Sequence, residues 1–262
     1  LGSAFDAMVP RLEAHAQVEE SLALAREIQQ QLLPASPPKL IGFEIHGVSL
    51  YSDETGGDYF DYVNLYAQHG HRIGVVVADV SGHGIGPALL MATTRALLHG
   101  GRGRGFSLGQ LLEYVNHQLA QDVSRGHFVT LFLLALEAGE DSIEWSTAGH
   151  DPAFHFRANH DQFYELGGEG IPLGIDADWH YATSGPTRLD KGDIVVIGTD
   201  GIWEASDEQG ERFGKSRLCD FIREHHRDGA AALCAGLKDA VSEFRGGRMQ
   251  HDDVTIVVVK RI

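Results

Sequence analysis

Cysteine is scarce: the 262 residues contain two, Cys219 and Cys234, which form neither a CxxC pair nor a zinc-knuckle spacing. That leaves no disulfide framework to build on and fits reduced thiols in a cytoplasmic protein. No apolar run approaches the roughly 18 residues that cross a bilayer. The first residues lack the basic-then-apolar order of a secretory signal. The chain opens on Leu1 rather than Met, as expected of a piece of a longer protein. Basic residues are also few: 21 Lys and Arg stand against 37 Asp and Glu, a net charge of −16. A nucleic acid partner needs the opposite balance. There is no GxxxxGK[ST] phosphate loop and no CxxxxxR nucleophile motif. None of the 15 histidines falls in HExxH. These absences set aside NTPases, cysteine-nucleophile phosphatases and HExxH metalloproteases.

What is present reads as one substantial domain with its own core. From about Arg11 to Leu33, Val18, Leu22, Ala25, Ile28 and Leu32 recur at helical spacing, and Pro34, Pro37 and Pro38 stop the pattern. This predicts an amphipathic helix that docks on its own domain or pairs with a second copy or an upstream sensor domain. Residues 1–38 are accordingly read as a linker or regulatory helix and 39–262 as the functional domain. Short runs rich in β-branched and aromatic residues follow at Phe43–Leu50, Tyr59–Tyr66 and Arg72–Val80. Two helices are predicted at Pro87–His99 and Leu108–Val123, with a flexible Gly100–Gly105 stretch between them. Strands are expected at Phe128–Glu137, Ser142–Thr147, Ala153–Phe156, Tyr181–Leu189 and Ile194–Thr199. Two further helices, Phe213–His225 and Ala230–Phe244, precede a last strand, Val254–Lys260. Consecutive strands joined by tight turns, with helices in pairs, predict an α+β fold with sheets inside and helices outside.

The chemistry-bearing residues sit at strand ends. Gly56-Gly57-Asp58-Tyr59-Phe60-Asp61 begins a strand, and Ala78-Asp79-Val80-Ser81-Gly82-His83-Gly84 ends the run Val75-Val76-Val77. Thr199-Asp200-Gly201 follows Ile194-Val195-Val196-Ile197, and Asp252-Asp253 precedes Val254-Thr255-Ile256. Each segment alone could be a turn. Together they predict carboxylates converging beside the most apolar strands, where they repel one another and raise each other's pKa. Divalent cations remove that cost, and hard oxygen ligands suit Mg²⁺ or Mn²⁺. Two cations about 3.5–4 Å apart can share a bridging carboxylate and activate water for attack on phosphorus.

In this order the motifs resemble the bacterial SpoIIE/RsbU-type branch of the PPM (PP2C-like) serine/threonine phosphatases. The resemblance runs from Ala25 to the C-terminus through Ala25–Pro34, Gly56–Asp61 and Asp79–Gly84. It continues through Ser146-Thr147-Ala148-Gly149-His150, Pro172-Leu173-Gly174-Ile175, Thr199–Ile202 and Asp252–Thr255. It implies a β-sandwich of two antiparallel sheets flanked by helices, with two or more Mn²⁺ or Mg²⁺ ions at one end. Asp79 would bridge the ions and the Val80 carbonyl would join the second. Asp200 and Asp252 would bind the first, and Asp58 would serve the second directly or through water. Asp253 is a further candidate ligand, and Asp61 is either supporting or structural. His83 is a candidate general acid for the leaving alkoxide, since imidazole titrates near neutrality; the alternative is a residue packing a Gly-rich turn. His150 reads as a structural hydrogen-bonder.

Two departures from the family's pattern stand out. Eukaryotic PP2C relatives carry a phosphate-binding Arg before the first acidic motif, but Ser52-Asp53-Glu54-Thr55 holds no cation. The metals would then hold the phosphate alone, or Arg102 or Arg104 would swing in. Asp151 stands where this branch usually has Asn and is expected to cap a turn or alter the rim. The resemblance implies hydrolysis of phosphoserine or phosphothreonine on a regulatory protein, such as an anti-sigma-factor antagonist in a partner-switching pathway. Its alternative is a non-catalytic or autoinhibited module that binds a signalling partner; a different two-metal hydrolase would be expected to mix His into the ligand motifs.

Overall fold

The computed structural model describes residue 17 and residues 20–52, 55–65, 71–82, 84–123 and 126–262. Residues 20–32 form helix α1. Then follow β1 (Phe43–Leu50), β2 (Tyr59–Leu65), β3 (Arg72–Val80), α2 (Ile85–Gly101) and α3 (Leu108–Asp122). The chain continues through β4 (Val129–Glu137), β5 (Ser142–Ala148), β6 (Ala153–Arg157), β7 (Gln162–Leu166), β8 (Ser184–Arg188) and β9 (Ile194–Gly198). It closes with α4 (Gly214–His225), α5 (Ala230–Arg245) and β10 (Val254–Arg261).

Two five-stranded sheets result, ordered β1-β10-β9-β6-β7 and β2-β3-β4-β5-β8. Each pairing within them is antiparallel. Period-2 alternation decides which face each side chain serves. On β3, Val75 and Val77 point between the sheets, where they meet Phe132 and Leu134 of β4 and Val257 and Val259 of β10. Val76 and Ala78 point outward against Met91 and Leu98 of α2 and Leu112 and Leu119 of α3. The other sheet's outer face, with Val196, Ile256 and Val258, is covered by Leu218 and Ile222 of α4 and Leu237 of α5. The expected α+β sandwich is therefore four layers deep, helices outside and sheets inside. Because central strands are buried on both faces, they read as near-continuous apolar runs rather than alternating ones. Among the described residues no helix is long and apolar enough to cross a membrane.

The helix over residues 20–32 departs from its expected packing. Val18 lies outside the described residues. Leu22, Ala25 and Leu32 are half-buried, whereas Leu24 and Ile28 are 57% and 53% exposed. The residue this helix buries is polar: Gln29 is 3% exposed. Its amide donates to the Gly56 carbonyl at 2.6 Å and accepts from the Gly56 N–H at 3.2 Å. That contact binds α1 to the turn before β2.

Candidate metal centre

Antiparallel pairing brings the acidic segments to one end of the sandwich. Tyr59 at the start of β2 pairs with Ala78 near the end of β3, so Asp58 and Asp79 are neighbours. In the other sheet Gly198 at the end of β9 pairs with Ile256 near the start of β10, which puts Asp200 beside Asp252. Burial and mutual repulsion then act on all four. Burial, Asp79 and Asp253 hold Asp58 well above the usual carboxylate range. Burial, then Asp200, Asp252 and Asp253, push Asp79 up to about 7. Burial, then Asp252, Glu204 and Asp151, push Asp200 up to about 6. Asp252 is raised too, chiefly by burial.

The supporting contacts are specific. Thr199 Oγ1 donates to Asp58 Oδ2 at 2.7 Å and accepts from the Thr255 N–H at 3.0 Å. Asp58 is thus oriented from the opposite sheet. Asp253, also expected among the ligands, accepts at Oδ1 from the Ser52 N–H at 2.7 Å and at Oδ2 from the Gly57 N–H at 2.9 Å, and its charge helps raise both Asp58 and Asp79. The Ser52 hydroxyl and the Asp58 N–H add two longer contacts. These contacts anchor the turn that carries Asp58. The Val80 carbonyl faces that turn, and a Cβ added at Gly57 would stand 2.6 Å from its oxygen.

His150 spans the two sheets. Its Nδ1 lies 3.0 Å from Thr130 Oγ1 on β4, and its Nε2 lies 3.2 Å from the Gly198 carbonyl on β9. A carbonyl only accepts, so Nε2 carries the proton and Nδ1 accepts from the Thr130 hydroxyl. Burial lowers its pKa to about 4, which keeps the ring neutral. Thr130 is the register partner of Asp79, and Gly198 lies two residues before Asp200. The structural role expected of His150 is thus an inter-sheet tie beside the carboxylates.

Other expectations resolve differently. His83 lies outside the described residues. Asp61 faces α2: Tyr59 Oη donates to it at 2.5 Å, His99 Nε2 lies 2.7 Å away and Arg95 Nε 3.4 Å. It ties that helix to β2. Arg102 and Arg104 follow the far end of α2, about 24 Å from its start at 1.5 Å per residue. Arg104 donates to the Gly100 carbonyl and lies over the Tyr114 ring, so neither arginine stands at the carboxylates. Asp151 pairs with Lys215 at 2.9 Å and its charge helps raise Asp200, which fits the rim position expected as the alternative to a turn cap.

The donor set is all oxygen, its charges repel, and the repulsion is relieved by hard divalent cations; the residues present fit such ions. As the side chains stand, no group of three or more His, Cys, Asp or Glu among the described residues is placed to hold an ion.

The matched family model is "Stage II sporulation protein E (SpoIIE)", over residues 69–262, more than half of the chain. The chain belongs to the SpoIIE family. Within it, the chain is 28% identical to phosphoserine phosphatase RsbU of Bacillus subtilis over 247 residues, covering 94% of this chain and 71% of RsbU. The SiaA-PP2C domain of Pseudomonas aeruginosa superposes with a TM-score of 0.79 at 23% identity, over 95% of this chain and 98% of that domain. A structure of the RsbU and RsbW domains of a Mycobacterium tuberculosis protein gives 0.73 at 25% identity, over 88% and 63%. These likenesses bear out the PP2C-like sandwich anticipated from the motifs.

Two outcomes test this SpoIIE-family centre. Mn²⁺ or Mg²⁺ should raise the melting temperature, and more at pH 7.5 than at pH 5, because protons compete for Asp79 and Asp200 below their raised pKa values. A melting series with EDTA controls measures this; equal shifts at both pH values would contradict it. Gly57→Ala should cut phosphoserine hydrolysis about tenfold or more by displacing the Val80 carbonyl, with the circular dichroism unchanged; initial rates on a phosphoserine peptide check it.

Proposed function

We propose that the chain is a metal-dependent protein serine/threonine phosphatase that hydrolyses phosphoserine or phosphothreonine on a regulatory protein in a bacterial partner-switching pathway. One observation carries the reading: four carboxylates from strand ends of both sheets meet at one end of the sandwich, and burial and mutual repulsion raise their pKa values. The likeness to a phosphoserine phosphatase supports the substrate class, and an anti-sigma-factor antagonist is the kind of small phosphoprotein the pathway would present.

Mn²⁺ or Mg²⁺ ions held there would supply charge neutralisation and Lewis acidity toward the phosphoryl oxygens. Asp79, Asp200 and Asp252 would hold them with the Val80 carbonyl, and Asp58, aimed by Thr199, would hold one directly or through water. His83 is proposed to deliver a proton to the leaving serine oxygen. Residues 39–262 serve as the catalytic unit and residues 1–38 as a linker from a sensor domain or a second protomer. The Gln29 clamp on Gly56 supports that linkage, since moving α1 moves the turn carrying Asp58. Deleting residues 1–24 should change activity or oligomeric state; no change in either would remove the linker role.

The direct assay is hydrolysis of a phosphoserine peptide and of p-nitrophenyl phosphate with Mn²⁺, Mg²⁺ or EDTA. Turnover with metal and its loss in EDTA are expected. No turnover with any metal from protein that still binds cations would favour a regulatory module instead.

A further inference from the structure

A cleft of about 450 Å³ opens between α1, β1 and α5, and none of the four carboxylates is among its lining residues. On a chain of net charge −16 its lining is unexpectedly basic: Arg26 comes from α1, and Lys238 and Arg245 come from α5. Asp239 is the carboxylate among the lining residues, and it lies 3.2 Å from Lys238. Arg245 is anchored by Nη1 donating to Gln250 Oε1 at 2.9 Å, while its Nε is buried with no hydrogen-bond partner among the described residues. Leu33, Leu50 and Tyr51 supply an apolar wall beside these cations.

We propose that this cleft binds a small phosphate-bearing molecule. A guanidinium fork with a flanking ammonium matches phosphate oxygens by charge and geometry. The acidic surface repels anions at long range, so an anion held here must be held by local contacts. The volume lies within the range of small-molecule sites and exceeds what a bare phosphate fills. The wall of Leu33, Leu50 and Tyr51 therefore points to an organic phosphate with an apolar or hydroxylated body. Such a ligand would bridge α1 to α5. It would also press on Tyr51, whose hydroxyl donates to the Asp58 carbonyl at 3.4 Å.

The test is calorimetric titration of the full chain in EDTA and low salt with glycerol 3-phosphate, inorganic phosphate and, as uncharged control, glycerol. One saturable site for glycerol 3-phosphate is expected, unchanged in Asp79→Asn and weakened at least tenfold in the Arg26→Ala/Lys238→Ala double variant. Lys238→Arg should retain it, and the unliganded melting temperature shows that each variant is folded. Tighter binding of glycerol 3-phosphate than of inorganic phosphate assigns an organic ligand, and equal binding assigns phosphate itself. Absence of binding by either, or binding lost in Asp79→Asn and kept in the double variant, overturns the assignment.

Discussion

Asp79→Asn is expected to lower metal-dependent phosphoester hydrolysis on the order of 10³-fold, about 4 kcal/mol of barrier, while making the metal-free protein more stable at pH 8. Both effects have one cause. Burial and the three neighbouring carboxylates push the folded-state pKa of Asp79 up to about 7, above the usual value of 3.8. The folded chain therefore favours the protonated form. As pH rises from about 4 to about 7 the unwelcome charge develops and stability falls across that window. Asparagine keeps the shape and removes the charge, so EDTA-treated variant should melt above EDTA-treated wild type. It also removes a carboxylate that would help hold the cations, so turnover collapses and the metal-induced melting shift shrinks. Thermal melts and initial rates on the two proteins check both halves. A variant that lost activity by unfolding would melt lower.

The second large effect is expected at His150. Replacing it with Ala removes the partner of the Gly198 carbonyl, leaves the Thr130 hydroxyl only its 3.5 Å contact to the Asp79 carbonyl, and opens a buried cavity between the sheets. The cost is roughly 3 kcal/mol. Activity should fall with stability, because the tie stands between the register partner of Asp79 and the turn bearing Asp200. His150→Gln can still donate to Gly198 and should recover part of both. The pH dependence has a defined sign. Burial depresses the folded pKa to about 4, below the ordinary 6.5. The stabilisation is therefore complete above about 6.5 and is lost as pH falls toward 4. Urea unfolding at pH 7.5 and pH 5 should show wild type losing more stability than His150→Gln over that interval. Equal losses would show that His150 is not held neutral.

Much of this was legible in the sequence because the fold repeats a few local rules. β1 and β3 were readable to the residue, and the remaining predicted strands and helices lie close to their observed positions. Buried apolar runs and Gly or Pro punctuation are strong signals. β7 was not anticipated: Gln162–Leu166 has no β-branched residue, and it is an edge strand, largely exposed, that among the described residues pairs only with β6. The helix over residues 20–32 was legible as a helix but not in its packing. Its apolar spacing predicted that Ile28 would be covered, whereas the buried contact belongs to Gln29 and depends on Gly56, 27 residues away.

At the site, the sequence pointed to the acidic segments but not to how their members divide the work. Asp252 and Asp253 are adjacent and chemically alike. Only the three-dimensional placement of the Ser52 and Gly57 N–H groups gives Asp253 its anchoring role. Thr199 and Thr255, which aim Asp58 and each other, lie inside the recognised motifs and could have drawn attention as buried hydroxyls beside carboxylates. The Tyr59, Arg95 and His99 contacts to Asp61 join β2 to α2 and leave no local pattern in either segment.

The most direct test of the central claim is a calorimetric titration of EDTA-stripped protein with Mn²⁺, run beside initial rates on a phosphoserine peptide at each Mn²⁺ concentration. The expected result is two or more bound ions and turnover that rises with their occupancy, both lost in Asp79→Asn. Turnover that persists without bound metal, or a wild-type chain that binds no cation, would contradict the account.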